Sequence, residues 1–305
     1  MWLEIILLAV LIDFVVREPP GTRLNPVVWA GSLIENIWRK FKHKNPVVER
    51  IAGILFALTL ISLCTAFIYL LLELLEFNNL VYLFASAIIL KYCIAISAFF
   101  DTVKPVKEAL IANNLPMARE HVKHLVTRDV SRLNEEGVIS ATIESIGENI
   151  CDALISPLFY FMLFGVPGAV AMRIINLLDG CIGYKTPDKK YFGWFAARLD
   201  DVVQFIPARI TSLLIMASAI LIEGNSWNSV MIAFRDYKKD DGINSGWSIA
   251  AMAGALNVRL EKPDTYKMGD SNEKLNVKKI NDALLFIPVT LIIFIISSIL
   301  VNWMV

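Results

Sequence analysis

The chain has 305 residues, of which 56% are hydrophobic and 19% charged, and its mean hydropathy is +0.57. This composition is too apolar for an ordinary soluble domain, and the chain is too long for a single membrane span. Lys and Arg balance Asp and Glu at 29 each, so the charge gives no basis for a nucleic-acid partner. The composition therefore predicts an integral membrane protein that has membrane lipid as a partner.

Four apolar stretches have about the length that a helix needs to cross a bilayer, which is roughly 20 residues. They are residues 2–16, 51–75, 80–100 and 283–305. Two further apolar stretches, 153–178 and 202–222, contain prolines, and the first also contains the run Gly165-Val166-Pro167-Gly168. Each is predicted to be a span or a broken, re-entrant segment. The predicted fold is an all-α polytopic membrane protein with four transmembrane helices, two broken segments and helical cytoplasmic loops.

Basic residues indicate which loops face the cytoplasm, because Lys and Arg collect on that side of a membrane. The tip between residues 75 and 80 has neither, whereas the loops on both sides of this helical hairpin are rich in both. The loop 179–201 is also basic, which favours two non-crossing segments that keep every polar loop, the active-site loops included, on the cytoplasmic face of the cell membrane.

The chain is predicted to form a single integral membrane domain over residues 1–305. Within it, residues 101–152 are expected to be a cytoplasmic helical segment, with Pro105 and Pro116 each in the first turn of a helix. Residues 223–282 are polar and rich in Gly, Asn and Asp, which predicts a cytoplasmic loop region with short helices.

A ridge of three carboxylates precedes the first broken segment. Glu144, Glu148 and Asp152 recur at i, i+4 and i+8, opposite a face of isoleucines. A solvated acidic face on an amphipathic helix explains this pattern. A functional site also explains it, because the ridge runs directly into an apolar segment, where uncompensated charge is costly. Magnesium fits the second interpretation, since one or two carboxylates hold it together with phosphate oxygens.

Polar residues remain embedded in apolar sequence as far as Arg209, so residues 144–209 form the candidate active-site block. Intramembrane ion pairs, in which Arg173, Arg198 and Arg209 neutralise Asp179, Asp200 and Asp201, explain this block as well as catalysis does. The residues alone leave both interpretations open.

Ordered composite motifs run through almost the whole chain. They include Arg128-Asp129, Glu144-Ser-Ile-Gly-Glu-Asn-Ile-Cys-Asp152, Asn176-Leu-Leu-Asp-Gly-Cys-Ile-Gly-Tyr184, Ala197-Arg-Leu-Asp-Asp201, Pro207-Ala-Arg209 and Asn244-Ser-Gly-Trp247. Together they resemble the CbiB/CobD family of adenosylcobinamide-phosphate synthases. Glu18 and Asn25 depart from the Asp and His that are usual in that family.

The resemblance implies a membrane enzyme of cobalamin (vitamin B12) biosynthesis. Such an enzyme joins the free carboxylate of adenosylcobyric acid, a corrinoid, to the amine of aminopropanol or its phosphate, with ATP and Mg²⁺ as cofactors. Other cobalamin-assembly enzymes are implied as partners. The alternative is a non-catalytic membrane sensor or accessory protein of the AmpE type on the same scaffold. Such a protein is free to lose the acidic block, which this chain keeps.

The resemblance also implies roles for individual residues. The candidate magnesium ligands are Glu148, Asp152, Asp200 and Asp201. Glu144 is a further ligand or the base that deprotonates the incoming ammonium, and Asn149, Asp179 and Arg198 complete the catalytic set. The candidate substrate-binding residues are Arg128, Asp129, Asn176, Tyr184, Lys185, Trp194, Arg209, Asn244, Gly246 and Trp247. Because neither G-x-x-x-x-G-K-[ST] nor G-x-G-x-x-G occurs, ATP use is implied by the resemblance alone.

Overall fold

The computed structural model describes residues 1–17, 25–41, 45–184, 186, 188–222 and 224–304, so Glu18 and Lys185 lie outside the described residues. Its helices, in chain order, are α1 (Trp2–Val16), α2 (Pro26–Lys40), α3 (Pro46–Leu75), α4 (Asn79–Cys93), α5 (Ile96–Ile111), α6 (Leu115–Val122), α7 (Glu135–Ile150), α8 (Ser156–Ile182), α9 (Trp194–Val203), α10 (Phe205–Leu221), α11 (Ser226–Asp236), α12 (Ser245–Ala255) and α13 (Val277–Met304). A π-helical turn, Cys151–Ile155, joins α7 to α8, and a 3-10 turn, Tyr237–Lys239, follows α11. Strands β1 (Leu260–Lys262) and β2 (Tyr266–Met268) pair antiparallel.

Asparagine begins many of these helices. The side chains of Asn25, Asn45, Asn78, Asn114, Asn134 and Asn225 each accept a hydrogen bond from a backbone N–H in the first turn of the helix that follows. Asparagine suits this position because its short side chain replaces the helical partner that the first N–H groups lack. Proline occupies the first turn of α2, α3 and α6, where its missing N–H costs nothing.

Four helical stretches among the described residues are long and apolar enough to cross a membrane. They are Pro46–Leu75, Asn79–Ile111, Glu135–Ile182 and Val277–Val301. Helices α9 and α10 form a bent apolar pair that passes the same test only as a broken span or re-entrant loop. Helix α1 has 15 residues, about 22 Å, and is shorter than the ~30 Å hydrocarbon core. The prediction of an all-α polytopic membrane protein is confirmed.

Several local features sharpen or correct the predictions. The break expected in residues 153–178 lies at Gly165, whose φ of 67° falls in the left-handed region that favours glycine. The prediction that Pro105 begins a helix is wrong, because it lies inside α5. Residues 224–282 contain the β1–β2 hairpin and the almost completely buried helix α12.

The chain divides into two compact units. Unit 1 comprises Met1–Ala95 and Ser156–Gln204, and unit 2 comprises Ile96–Ile155 and Phe205–Val305. In unit 1, α2, α3, α8 and α9 contribute a core that includes Trp38, Ala57, Leu178 and Phe192. In unit 2, α7 packs against α12 and α13, and α12 packs against α10 and α11. Eleven of the 16 residues of α7 are buried, and they include Glu144, whereas Glu135 and Glu136 in the first turn are exposed.

A buried ion pair ties α4 to α1 within unit 1. The Lys91 ammonium lies 3.9 Å from Asp13 and donates a hydrogen bond to the Arg17 carbonyl at 3.2 Å. Both side chains are at most 2% exposed. Replacing Lys91 by Met is expected to destabilise the protein by about 3 kcal/mol, because the buried Asp13 carboxylate then loses the positive charge of the Lys91 ammonium. Thermal unfolding in detergent measures this, and Lys91→Met with Asp13→Asn is expected to recover part of the loss. If Lys91→Met alone is as stable as wild type, the prediction is contradicted.

Candidate active site

The Glu144 carboxylate of unit 2 accepts four hydrogen bonds. Arg128 donates to both of its oxygens, from Nη1 to Oε2 at 2.8 Å and from Nη2 to Oε1 at 3.1 Å. The Ser140 hydroxyl donates to Oε1 at 2.8 Å, and the Tyr266 hydroxyl donates to Oε2 at 2.8 Å. A carboxylate has about four acceptor positions, so these four bonds use the capacity of Glu144. Glu144 is 4% exposed and therefore belongs to a buried network, not to a solvated acidic face.

The β1–β2 hairpin completes this network, which no sequence motif predicted. The Glu261 N–H in β1 donates to Ser140 Oγ at 2.8 Å, and β2 supplies Tyr266. Burial and the nearby Glu144 and Glu148 carboxylates raise the pKa of Tyr266, so it remains a hydrogen-bond donor at neutral pH. Only a tertiary contact brings Tyr266 to Glu144, because 121 residues separate them in the sequence.

Glu148 is the centre of a group of like charges. It interacts electrostatically with Asp152, Glu144 and Asp240, while Lys262 supplies an opposing positive charge. Asp240, which the sequence motifs did not single out, lies in the turn before α12 and accepts a hydrogen bond from the Ser245 hydroxyl. Its sequence signal is the Asp240-Asp241-Gly242 run just before Asn244.

The oxygen atoms of this group of carboxylates are suitable ligands for a divalent cation. Carboxylate oxygens are hard ligands, and magnesium needs only one or two of them with phosphate oxygens and water. Glu148 and Asp152 repel each other, and a cation between them would relieve that repulsion. Among the described residues, no three Asp, Glu, His or Cys side chains converge as a ready metal cluster. The magnesium ligands therefore stay a prediction.

Three of the predicted substrate-binding residues meet on α10 and α12 in unit 2. Arg209 Nη1 donates to Asn244 Oδ1 at 2.7 Å, and its guanidinium lies 5.3 Å from the centre of the Trp247 ring. Trp247 stacks on Tyr237 with ring centres 4.0 Å apart. Gly246 permits this packing, because a Cβ there would lie 2.1 Å from the Tyr237 carbonyl oxygen. The Trp247 indole nitrogen is buried and has no hydrogen-bond partner among the described residues.

The remaining predicted residues of unit 2 have local partners. The Asp129 carboxylate accepts from the Ser131 N–H at 2.9 Å, which lowers the pKa of this exposed side chain. Asn149 donates to the Ser145 carbonyl at 2.9 Å, one turn earlier in α7. Both side chains are therefore engaged within their own segments.

In unit 1, the predicted acidic residues lie on α8 and α9. Arg198 Nη1 lies 2.8 Å from Asp201 Oδ2, and Asp179 interacts electrostatically with Asp201. The Arg198–Asp201 pair is one that the ion-pair interpretation predicted. Arg209 does not follow that interpretation, because it bonds Asn244 in unit 2. Asp200 is half-buried next to Asp201 on the same helix.

Aromatic and amide candidates of unit 1 lie beside basic side chains. Tyr184 contacts the Lys189 ammonium, and Trp194 contacts the Arg50 guanidinium, each with 5.4–5.5 Å between the cation and the ring centre. Asn176 accepts a long hydrogen bond of 3.5 Å from Arg173. Lys189 also pairs with Glu35 at 2.9 Å, a contact that the sequence motifs missed because Glu35 lies on α2, 154 residues earlier.

The hairpin is anchored to α11 by a second buried carboxylate, Asp236. Burial raises the pKa of Asp236, but hydrogen bonds from Arg235, Lys239 and the Gly269 N–H lower it by more, so that the pKa is about 2 instead of 3.8. A lowered pKa stabilises the fold fully above pH 4, and this contribution is lost as the pH falls towards 2. We expect a loss of about 2 kcal/mol in this window, measured as thermal unfolding against pH. Asp236→Asn should reduce the loss, and equal acid sensitivity in both proteins would contradict this.

Comparison with known proteins gives matches over nearly the full length. The family model described as CobD/Cbib protein matches residues 6–287. "Probable cobalamin biosynthesis protein CobD" of Methanothermobacter thermautotrophicus is 38% identical over 97% of this chain and 96% of its own length. The protein of the same name from Methanocaldococcus jannaschii is 36% identical over 98% of both chains. "Cobalamin biosynthesis protein CobD" of Dehalococcoides mccartyi is 35% identical over 93% of this chain and 92% of its own.

No solved structure matches the chain. The family model begins in α1 and ends in α13, so it includes the Glu144 network, the carboxylates around Glu148 and the Arg209–Asn244–Trp247 cluster. The match also includes the Asp179 and Asp201 carboxylates of unit 1. The chain belongs to the CobD/Cbib family.

Proposed function

We propose that the protein acts in cobalamin biosynthesis as an adenosylcobinamide-phosphate synthase. It forms an amide between the free carboxylate of adenosylcobyric acid and the amine of aminopropanol or its phosphate, with ATP as the source of energy and Mg²⁺ as a cofactor. The full-length relatives named for cobalamin biosynthesis support the pathway. The observation that carries the chemistry is the group of carboxylates around Glu148 in unit 2, next to the Arg128–Glu144 network.

The reaction requires activation of a poor acyl donor. A carboxylate does not react with an amine at neutral pH, so its oxygen first takes the terminal phosphoryl group of ATP, which releases ADP. The amine then attacks the acyl carbon, phosphate leaves, and the ammonium proton passes to a base. A magnesium ion, when bound, would supply positive charge to neutralise the phosphate oxygens.

Individual residues have proposed roles in this sequence. In unit 2, Glu148 and Asp152 would hold a magnesium ion, and in unit 1, Asp200 and Asp201 are the candidate magnesium ligands. Glu144 accepts four hydrogen bonds, so we assign it the positioning of Arg128 and Tyr266 instead of metal binding or base catalysis. The base is then another carboxylate of the Glu148 group. Arg209, Asn244 and Trp247 offer a guanidinium, an amide and an indole to the amide-bearing corrinoid.

The experiment supplies purified, detergent-solubilised protein with adenosylcobyric acid, aminopropanol phosphate, Mg²⁺ and ATP, and detects the amide by mass. Formation of the amide is expected, and omission of ATP should prevent it. A parallel reaction with free aminopropanol identifies the preferred acceptor. No product with either amine, together with no rescue of a cobalamin-requiring mutant, would favour the non-catalytic sensor.

We propose that the basic loop after α8 faces the cytoplasm. Lys190 is the suitable position for a labelling test because it is exposed, whereas Lys189 is 17% exposed and bonded to Glu35. In a background without the four native cysteines, Lys190→Cys in sealed cells is expected to resist an impermeant maleimide and to react after the membrane is opened. A cysteine at Phe77, in the tip between α3 and α4, should react in sealed cells. Labelling of position 190 in sealed cells would overturn this orientation.

A further inference from the structure

A cleft of about 800 Å³ in unit 2 lies outside the predicted site residues. Its walls are the start of α7, the β1 strand with its flanking residues, and residues 271–275, which precede α13. This volume is within the range of small-molecule sites, about 300–1,000 Å³. The size therefore admits a metabolite.

Three basic and three acidic side chains line this cleft. Arg132, Arg259 and Lys274 line it from three different segments. Arg132 and Lys274 form no ion pair within 4 Å among the described residues, and the Arg259 guanidinium lies 3.7 Å from Glu261. Three basic side chains that converge from separate segments form a site for an anion, and arginine adds a bidentate fork that matches phosphate.

Two of the three acidic residues of the cleft are paired with lysines that do not line it. Glu261 pairs with Lys267 at 3.0 Å, and Glu273 pairs with Lys279 at 2.7 Å, and both lysines lie outside the lining. The hydrogen bond from Lys279 also lowers the pKa of Glu273, so this carboxylate is ionised and committed to that partner. Glu136 is the third carboxylate of the lining, which therefore carries three basic and three acidic side chains, with Lys267 and Lys279 offsetting two of the acids from outside it.

One wall of the cleft is bonded directly to the Glu144 network. Ser140 and Glu261 both line the cleft, and the Glu261 N–H donates to the Ser140 hydroxyl, which in turn donates to Glu144. The lining residue Ser140 is therefore one hydrogen bond from Glu144, and the lining residue Glu261 is two. The first turn of α7 adds backbone N–H dipoles of favourable sign for an anion, of which Asn134 caps the Gly137 N–H, and Glu135 and Glu136 lie in the same turn.

We propose that this cleft binds a phosphate-bearing anion through Arg132, Arg259 and Lys274. Within the proposed function, on which this inference rests, the phosphate belongs either to a nucleotide or to the phosphorylated amino alcohol. The chemistry of recognition is the same for both: charge-assisted hydrogen bonds to phosphate oxygens.

The test measures binding by isothermal titration calorimetry to the full-length protein in detergent, with no corrinoid present. The probes are ATP with Mg²⁺ and, in a separate arm, aminopropanol phosphate. Arg259→Gln combined with Lys274→Gln is expected to weaken binding of one probe by about tenfold or more. The matched control is Lys123→Gln, which removes one exposed positive charge of unit 2 outside the cleft and should bind as wild type does.

The probe whose binding weakens shows whether the phosphate belongs to the nucleotide or to the amino alcohol. If the double variant unfolds, Arg132→Gln on the opposite wall provides the same comparison. Wild-type affinity of the cleft variants for both probes, equal weakening in the control, or no binding to wild type would overturn the proposal. Amide formation is measured separately. If wild type forms the amide and the cleft variants bind both probes normally, the cleft proposal is rejected and the proposed reaction stands. If the cleft variants lose phosphate binding but wild type forms no amide, the proposed reaction is rejected and the cleft proposal stands.

Discussion

Replacing Glu148 by Gln is expected to abolish amide formation while leaving the protein folded and inserted in the membrane. The substitution keeps the shape of the side chain and removes one charge from a group that also includes Asp152, Glu144 and Asp240. Folding should not suffer, because removal of a like charge reduces repulsion. Activity should fall by about a hundredfold or more, since the lost group is a proposed ligand of the cation that neutralises phosphate.

The measurement is the rate of amide formation across a range of Mg²⁺ concentrations, with thermal unfolding as the record of folding. Glu120→Gln is a matched control, because Glu120 is exposed on α6, away from this group. Asp201→Asn tests the contribution of unit 1 in the same way, and its exposed pair with Arg198 contributes at most about 1 kcal/mol to stability. Full activity in both Glu148→Gln and Asp201→Asn would remove the magnesium assignment.

Replacing Arg128 by Ala is expected to destabilise the protein by about 3–5 kcal/mol. The reason is that Glu144, which is 4% exposed, then keeps a buried negative charge without its bidentate partner. Ser140 and Tyr266 still donate to it, but neither supplies a positive charge. Thermal or denaturant unfolding in detergent measures the loss.

A double variant distinguishes the destabilising effect of the buried charge from the effect of lost packing. Arg128→Ala combined with Glu144→Gln should recover part of the stability, because the carboxylate charge is gone. Lys123→Ala, in the same segment but exposed, is expected to change stability by less than about 0.5 kcal/mol. If the double variant is as unstable as the sum of the two single variants, the pair is not coupled and Glu144 does not act through Arg128.

The fold class followed from hydropathy because membrane spans need long apolar helices, and α3 and α13 supply them almost as predicted. The break in α8 was also predictable, since Gly165 and Pro167 interrupt its helical hydrogen bonds. The position of Pro105 within α5 and the β1–β2 hairpin were not predictable, because tertiary packing outweighs weak local signals over short segments.

Some residues of the candidate site were also predictable from the sequence, and others were not. Motifs identified Glu144, Glu148, Asp152, Arg128 and the Arg209–Asn244–Trp247 cluster as polar groups in apolar surroundings, where burial makes an unneeded charge expensive. They gave no indication of Tyr266 or Glu35, whose partners are distant in sequence.

By itself, therefore, the sequence determined that the protein is a helical membrane protein and which polar residues are out of place in it, because both properties depend on local composition and spacing. Only the tertiary structure decided which of those residues are satisfied. It pairs Glu144 fully with Arg128, Ser140 and Tyr266, and it leaves Glu148 among like charges. Hydrogen bonds and charge interactions depend on distances between atoms, and only the folded chain sets those distances.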